Sequence, residues 1–218
     1  MRLPSHRLLL SITAMVAATA HAERGMLSLD IAAGGVALAV PAPPVSSPRT
    51  TVSYNGSFWF GTRYALADSL EVSLAGYFEP PATLWQNDVT VTTDAAFAGT
   101  LKHTFTRFGA QAGLQLVFGM VVRFRLGLEL GWCQELYTGL RHYGGDATNG
   151  FLDYGLTLAD SSRPVLVLSP LIGLEWQIGD TWGFTLLPRA QLLADPGNLR
   201  SFTWAAIATL QFSWGGFL

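Results

Sequence analysis

From Leu27 to Trp214 the dominant pattern in the chain is an alternation of apolar and polar residues. The clearest segment is Met120–Trp132, where apolar residues at even positions oppose Arg, Gly and Glu at most odd positions. Successive side chains of a β-strand point to opposite faces, so a period of two predicts a strand between two different environments.

Eight segments alternate in this way, and each predicts one β-strand. They are Leu27–Val40, Thr51–Leu66, Leu70–Phe78, a fourth that is clearest over Phe108–Leu116, Met120–Trp132, Leu166–Ile178, Trp182–Leu192 and Phe202–Trp214. The connections alternate between short turns and long segments rich in Pro, Gly, Asp and Asn. The short ones are Ala65–Ser69, Val117–Gly119 and Gly179–Thr181, and the long ones are Pro41–Arg49, Glu79–Gly99, Tyr137–Arg163 and Ala194–Arg200. Short turns at one end and long loops at the other are typical of transmembrane barrels.

Alternation alone also fits a soluble eight-stranded barrel with its apolar face inside. Composition favours the membrane, because only 13% of the residues are charged, against about 25% in soluble domains. The chain has a single lysine, Lys102, and the polar faces carry mostly Gly, Ser, Thr and Gln. The apolar faces end in aromatic residues, which predicts a girdle at each lipid interface. Its members are Tyr64, Phe118, Trp176, Trp182 and Trp214 near the short turns, and Trp132 and Trp204 near the long loops.

The N-terminus predicts export. Arg2 and Arg7 precede a short apolar stretch, and Ala20-His21-Ala22 fits the rule for signal-peptide cleavage. We therefore expect residues 1–22 to be a cleaved signal peptide and residues 23–218 to form the barrel. The architecture resembles the small eight-stranded outer-membrane proteins of Gram-negative bacteria, the outer-membrane protein A and X type. This resemblance implies an all-β, antiparallel, up-and-down transmembrane barrel in the outer membrane, with short periplasmic turns and long extracellular loops.

The resemblance also implies surroundings and partners. Outer-membrane lipids, including lipopolysaccharide, would surround the barrel, and outer-membrane assembly machinery would recognise its last strand. That strand carries the alternating residues of such an assembly signal, Ala206, Ala208, Leu210, Phe212 and Trp214, but the chain continues for four residues beyond it. The formal net charge of -2 gives no reason to expect a nucleic acid partner.

The polar face of the strands predicts a lumen filled by side chains, since eight strands enclose only a narrow interior. The members of this polar network are Arg63, Glu71, Gln111, Gln115, Arg123, Arg125, Glu129, Glu175, Gln177 and Arg189. Hairpin register predicts that Arg63 faces Glu71 and that Gln115 faces Arg123, with Glu175 at a similar depth to Arg123. The network either locks the barrel or lines a narrow gated pore.

Two features depart from regular strands. Pro170 and Pro188 fall inside predicted strands, where proline removes a ladder hydrogen bond, so we expect a bulge at each or a position near the rim. The fourth strand changes its pattern, because Leu101 and Phe105 belong to the opposite set from Phe108. This predicts a bulge near Thr106 or a section of strand above the bilayer.

Candidates for chemistry are few. The mature chain has two histidines, His103 and His142, and neither has a spacing to Ser and Asp that enforces a catalytic arrangement. The segment Gly144–Gly150 lacks the ligand spacing of a known cation loop, and Cys133 faces inward by parity. We therefore expect no catalytic residues, no metal and no cofactor.

The sequence thus favours a non-enzymatic barrel with a structural or surface-interaction role through its extracellular loops. The loop that follows the fifth strand carries an aromatic and basic set suited to binding a protein partner: Tyr137, Arg141, Tyr143, Phe151 and Tyr154. The alternatives are a narrow channel for small solutes and an enzyme that modifies lipid A.

Overall fold

The computed structural model describes residues 24–44, 46–47, 49–92, 96–119, 121–146, 150–178, 181–196 and 198–217. The predicted signal peptide, residues 1–22, lies outside these ranges and stays a prediction. In the described ranges the chain forms nine β-strands. They are β1 (Met26–Pro41), β2 (Thr50–Ala67), β3 (Leu70–Thr92), β4 (Ala96–Phe118), β5 (Val122–Asp146), β6 (Gly150–Thr157), β7 (Ser161–Ile178), β8 (Trp182–Asp195) and β9 (Asn198–Phe217).

Eight of these strands form a closed antiparallel ring. Each pairs with the next around the ring, β5 pairs with β7, and β9 returns to pair with β1. The short β6 pairs only with the upper end of β5, from Arg141 to Asp146. The predicted up-and-down barrel is therefore confirmed, with β6 as an addition within a segment predicted to be loop. No helix of the described residues is both long and apolar enough to cross a membrane.

The side chains sort between lipid and lumen as the alternation predicts. On β5, Leu126, Leu128 and Leu130 are about half exposed on the outer surface, whereas Arg125 and Glu129 are each 1% exposed inside. A lipid-facing apolar band about 25 Å tall is the signature of a transmembrane barrel. We call this outer surface the apolar belt, and it spans the strands between the two sets of girdle aromatics.

The predicted long loop Glu79–Gly99 is wrong, because most of it is strand. Strands β3 and β4 continue above the belt and pair as far as Thr92 and Ala96. Pro80 and Pro81 lie at one of two register shifts in this ladder, between Glu79 and Ala82. The prolines therefore mark a bulge within a strand.

The segment Tyr137–Arg163, also predicted to be a loop, contains strand as well. Strand β5 continues to Asp146, β6 pairs with it, and β7 begins at Ser161. The extended parts of β3, β4 and β5, together with β6, form a wall that rises above the belt at the long-loop end. We call it the outer wall, and the usual orientation of such barrels places it on the extracellular side.

The change of pattern in the fourth strand arises because part of the strand stands above the bilayer, which was one of the two predicted causes. In β4 the inward-facing residues are odd-numbered throughout, from Leu101 to Val117, so β4 itself has no bulge near Thr106. The bulge at that level lies in β3, where Pro80 and Pro81 are opposite Thr106. What changes is the environment. Within the belt the outward residues are apolar and the inward ones polar, whereas above it Leu101 and Phe105 fill the interior with apolar groups.

The predicted bulges at Pro170 and Pro188 are wrong. The register of β7 against β8 is the same at Leu168–Leu192, Leu171–Arg189 and Leu174–Leu186. Neither proline lies at the rim, since Pro170 pairs with Leu128 in the middle of the belt. Instead, the ladder between β7 and β8 is interrupted on both sides of the Leu171–Arg189 pair. Pro170 and Pro188 lie beside this pair, and a proline has no N–H to donate to the ladder.

Candidate functional site: the filled lumen and the outer wall

An ion cluster fills the lumen near the short-turn end of the barrel. Its six side chains come from five strands: Asp30, Arg63, Glu71, Arg123, Arg125 and Glu175. Three guanidinium groups meet three carboxylates, so the cluster is formally neutral. Buried charges are tolerated only when they are paired in this way.

Two arginines connect the cluster. The Nε of Arg63 lies 2.6 Å from Asp30 Oδ2, and its Nη1 lies 3.1 Å from Glu71 Oε2 and 3.3 Å from Glu175 Oε2. Arg125 donates from Nη1 to Glu71 Oε2 at 2.6 Å and from Nε to Glu175 Oε2 at 2.6 Å. Glu71 and Glu175 thus each receive both arginines, and no single pair can separate without disturbing the others.

The register that brings these charges together differs from the predicted one. Arg63 pairs across the ladder with Ser73, and Glu71 pairs with Ala65, since a register shift lies between Ala65 and Ala67. Arg63 and Glu71 are therefore diagonal neighbours on the lumenal face, and the predicted direct opposition is wrong. Their contact is nevertheless present, because long side chains reach diagonal positions.

The predicted pairing of Gln115 with Arg123 is also wrong. Gln115 pairs with Gly127, because β5 begins at Val122 and the turn is centred two residues later than predicted. Gln115 Oε1 instead accepts a hydrogen bond from Arg125 Nη1 at 3.1 Å. The predicted depth of Glu175 is right, since it pairs directly with Arg123, with 3.7 Å between Nη1 and Oε1.

We expect Arg63 and Glu71 to be energetically coupled. Removing Glu71 alone leaves the buried guanidinium groups of Arg63 and Arg125 each short of one partner, which costs about 3–5 kcal/mol. Replacing both residues with Gln or Met should recover much of this loss. A double-mutant cycle on the urea-unfolding midpoint in detergent measures the coupling. Additive effects of the two single changes would show that the two side chains do not interact.

A middle layer lies above the ion cluster. Glu129 accepts a hydrogen bond from Ser73 Oγ at 3.0 Å, and its Oε2 lies 3.5 Å from Nε of Arg189. The guanidinium carbon of Arg189 lies 4.3 Å from the centre of the Trp59 ring, which stacks on Tyr77 at 4.5 Å. This aromatic pair separates the polar lower lumen from the upper lumen.

The remaining predicted members of the network take different positions. Gln111 is buried, and neither polar atom of its amide finds a hydrogen-bond partner among the described residues. Gln177 is only partly buried and lines the short-turn mouth. All ten predicted residues face the lumen, but these two take no part in the ion cluster or in the layer above it.

The upper lumen is apolar with two embedded ion pairs. Glu79 makes a two-pronged contact with Arg107, and Glu135 pairs with Arg163 at 2.6 Å. Around them pack residues from seven of the strands: Leu38, Val40, Val89, Leu101, Phe105, Cys133, Tyr137, Leu140, Val165, Val167, Leu193 and Ile207. Sequence reasoning missed this layer, apart from the inward-facing Cys133. The signal was present in the parity of β4, which continues unbroken from the belt, and in that of β5 as far as Tyr137. Beyond Gly139 the inward residues of β5 change from odd to even positions, at a register shift against β4.

Little space remains between these layers. A cavity of about 10 Å³ lies at the short-turn mouth beside Arg123, and one of about 20 Å³ lies between Asp30 and Arg189. Such volumes hold about one water molecule each. The lumen is therefore packed with side chains from the ion cluster to the upper apolar layer.

The two histidines lie in the upper lumen, and neither is a ladder partner of Ser161 or Ser162. His142 is buried with its Nε2 3.1 Å from the carbonyl oxygen of Val89. Ser161 and Ser162 pair with Tyr137 and Leu136, five and six residues from His142 along β5. Residues 147–149 of the segment Gly144–Gly150 lie outside the described residues.

His103 is a neutral group buried above the membrane. Its ring lies 5.6 Å from that of Tyr137, and neither ring nitrogen finds a hydrogen-bond partner among the described residues. Desolvation by burial lowers the pKa of His103 to about 4, because the apolar surroundings disfavour the imidazolium.

This burial predicts a pH-dependent stability. Below about pH 6.5 His103 is protonated in the unfolded chain, whereas in the folded chain it stays neutral until about pH 4. The free energy of unfolding therefore falls as the pH is lowered through this window. Between pH 7.5 and pH 4.5 we expect His103 to account for a loss of about 2–3 kcal/mol. Urea midpoints of wild type and His103→Phe at the two pH values measure it. An equal loss in both proteins would contradict the expectation.

The predicted aromatic girdle lies on the outer surface. Trp176, Trp182 and Trp214 are each between 42% and 50% exposed near the short turns, and the rings of Trp182 and Trp214 are neighbours at 6.3 Å. Tyr64 and Phe118 join them at this end, and Trp132 and Trp204 lie towards the other end. These two levels border the apolar belt, as expected at two lipid interfaces.

The outer wall carries a second group of side chains that are at least partly exposed. Trp85, Lys102 and Arg141 are consecutive cross-strand partners on β3, β4 and β5. Tyr143 lies beside them, with its ring 5.5 Å from that of Trp85. Two residues of the predicted binding set, Arg141 and Tyr143, are thus on this surface. Tyr137 is buried in the lumen, and the side chains of Phe151 and Tyr154 are not among those described.

Comparison with protein-family profiles gives no match, and comparison with curated proteins gives none. Among solved structures the chain is similar to Neisserial surface protein A, with a TM-score of 0.53 and 11% identity over 87% of this chain and 96% of that one. Ail of Yersinia pestis and OprG of Pseudomonas aeruginosa each give a TM-score of 0.46 at 12% identity. Those matches cover 88% and 91% of this chain and 99% of each of theirs.

The fold is that of a small outer-membrane β-barrel. At these identities the likeness concerns architecture, and it confirms the eight-stranded ring that the sequence predicts. The apolar belt supplies the second observation, since about half of the surface of residues such as Leu128 and Leu130 would otherwise face water. Fold and belt together place the chain in the outer membrane, as expected.

Proposed function

We propose that this protein is a non-enzymatic outer-membrane barrel that acts through its extracellular surface. The observation that carries the proposal is the filled lumen, in which an ion cluster, an aromatic pair and an apolar layer follow one another. A lumen packed in this way serves as a rigid core, and the outer wall is the surface left to contact partners. The assembly machinery would read β9, whose Phe212 and Trp214 face outward.

A narrow channel is the nearest alternative. Conduction through this lumen would require the ion cluster to open and the Trp59–Tyr77 stack to move aside. Breaking a buried pair by removing one partner costs about 3–5 kcal/mol, and here each central carboxylate has at least two arginine partners. The packing therefore favours a closed barrel.

Planar-bilayer recording tests this part of the proposal. We expect the purified barrel to produce no stepwise conductance, and we expect the same of Arg189→Lys, which preserves the charge beside Trp59. As a further comparison, Trp59→Gly with Tyr77→Gly removes the aromatic pair but leaves the ion cluster closed, so this variant should also produce no stepwise conductance. Steady single-channel conductance of the wild-type barrel would refute the closed lumen.

Two further measurements test the remaining parts. Mass spectrometry of lipid A from cells with and without the protein should give identical spectra, and a new or missing acyl or phosphate group would indicate an enzyme. Pull-down from whole cells with the outer wall exposed should recover partners of the wild-type protein. Recovery equal to that of a barrel with the outer wall shortened would refute a role for this surface.

A further inference from the structure

The outer wall carries a row of cations and aromatic rings, which we call the cation–aromatic row. It consists of Trp85, Lys102, Arg141 and Tyr143. Lys102 Nζ lies 4.9 Å from the centre of the Trp85 ring, and the guanidinium carbon of Arg141 lies 5.8 Å from the centre of the Tyr143 ring. The ladder fixes these contacts, because the first three residues are partners across adjacent strands.

The height of this row determines what surrounds it. Lys102 lies six residues beyond Phe108, the outward aromatic at the top of the belt on β4. With a rise of about 3.3 Å per residue and a strand tilt of about 35–45°, the row stands about 15 Å above the lipid interface. The row faces sideways from the barrel, so it meets the saccharide layer of the outer leaflet.

We propose that the cation–aromatic row binds the phosphorylated core saccharide of the glycolipid that surrounds the barrel. The inference rests on the proposed function, since it names the partner of the outer wall. The cations supply the two types of phosphate contact, a planar fork from Arg141 and a point charge from Lys102. The rings of Trp85 and Tyr143 offer flat apolar faces between the charges, against which a sugar ring can pack.

The arginine of the row is held in place and remains accessible. Asp153 Oδ2 lies 2.6 Å from Arg141 Nη2, and the two side chains are 48% and 38% exposed. One carboxylate on one nitrogen leaves the other donors of the guanidinium available, because this group carries five N–H donors. Lys102 and Arg141 against Asp153 give the surface one net positive charge, which complements a phosphate.

Lys102 is the only lysine in the chain, and this provides a direct reporter. Reductive methylation with 13C-formaldehyde places a dimethyl label on Lys102 and on the N-terminal amine while keeping both positive charges. Loss of one resonance in Lys102→Arg identifies the signal of the row. The intact barrel in detergent micelles can then be titrated with soluble saccharides.

We expect the Lys102 signal to shift saturably with phosphorylated core oligosaccharide. Dephosphorylated oligosaccharide and inorganic phosphate should each require at least a tenfold higher concentration for the same shift. Equal responses to the phosphorylated and dephosphorylated saccharides would overturn the proposal. A full response to inorganic phosphate would also overturn it, as would an equal response to lipid A that lacks the core.

Matched variants test the residues of the row. Arg141→Gln and Trp85→Leu should each weaken the binding of the phosphorylated oligosaccharide at least fivefold. The control is Arg49→Gln, which removes a 54% exposed arginine near Asp88 at the same end of the barrel and should change the affinity by less than twofold. Equal weakening in all three variants would show a nonspecific charge effect. The titration can fail while the lumen is closed and the whole-cell pull-down still recovers partners. That combination would reject the saccharide as the ligand and leave the proposed function standing.

Discussion

Leu128→Arg is expected to abolish assembly of the barrel in the membrane. Leu128 is 49% exposed in the middle of the apolar belt, between Leu114 on β4 and Pro170 on β7. A lipid-facing arginine at the bilayer midplane costs about 2–4 kcal/mol. The loss is measured as the fraction of protein that reaches the outer membrane in a heat-modifiable, folded form.

The matched control is Thr138→Arg on the same strand and the same face. Thr138 is exposed ten residues further along β5, above the belt, where the penalty for arginine falls to about 0–1 kcal/mol. This variant should assemble normally. If both variants assembled equally well, the inside and outside of β5 or the height of the belt would have to be reassigned.

Glu175→Gln is expected to cost about 3–5 kcal/mol of unfolding free energy. Glu175 is 2% exposed and contacts Arg63, Arg123 and Arg125. Without its charge, three buried guanidinium groups share two carboxylates, and the amide can replace only one acceptor. Urea unfolding in detergent, followed at equilibrium, measures the loss.

Gln177→Ala provides the comparison for this prediction. Gln177 lies two residues away on the same strand, at the short-turn mouth, and it belongs to no ion pair among the described residues. We expect this change to alter stability by less than about 1 kcal/mol. A similar small effect for Glu175→Gln would mean that the ion cluster contributes nothing measurable to stability.

Gly127 illustrates a limit of reasoning from parity. The alternation places it in the lumen, which suggests that a small polar side chain such as serine would be accepted. A Cβ atom there would lie 2.8 Å from the carbonyl oxygen of Leu114 and 2.9 Å from Cγ of Gln115. Gly127→Ser is therefore expected to destabilise the barrel, because backbone of the neighbouring strand occupies the space.

The alternation determined the parts of the fold that depend on the bilayer. A strand in a membrane barrel must face lipid on one side, so the apolar residues of β5 and the aromatic girdle were readable directly from the sequence. The lumenal position of Arg63, Arg125 and Glu175 followed from the same parity. The number of ring strands and the ends of β7 and β8 near their short turn were equally accessible.

Above the bilayer the same reasoning failed, because the solvent changes from lipid to water. The wall of the barrel continues with the same geometry, but its apolar residues turn from the outside to the inside. In β4 this reversal lies between Phe105, which faces the lumen, and Phe108, which faces lipid. A reversed pattern interrupted by Pro80 and Pro81 looks like a loop in the sequence, and only the structure shows it as strand.

Which charges meet was decided by the tertiary structure. The register of β2 with β3 places Arg63 opposite Ser73, two residues from Glu71, and the turn before Val122 places Gln115 opposite Gly127, four residues from Arg123. A displacement by an even number of residues keeps every side chain on its face, so the hydrophobic pattern cannot detect it. The sequence by itself therefore determined which residues enter the lumen, whereas turn geometry and the close approach of eight strands determined their partners.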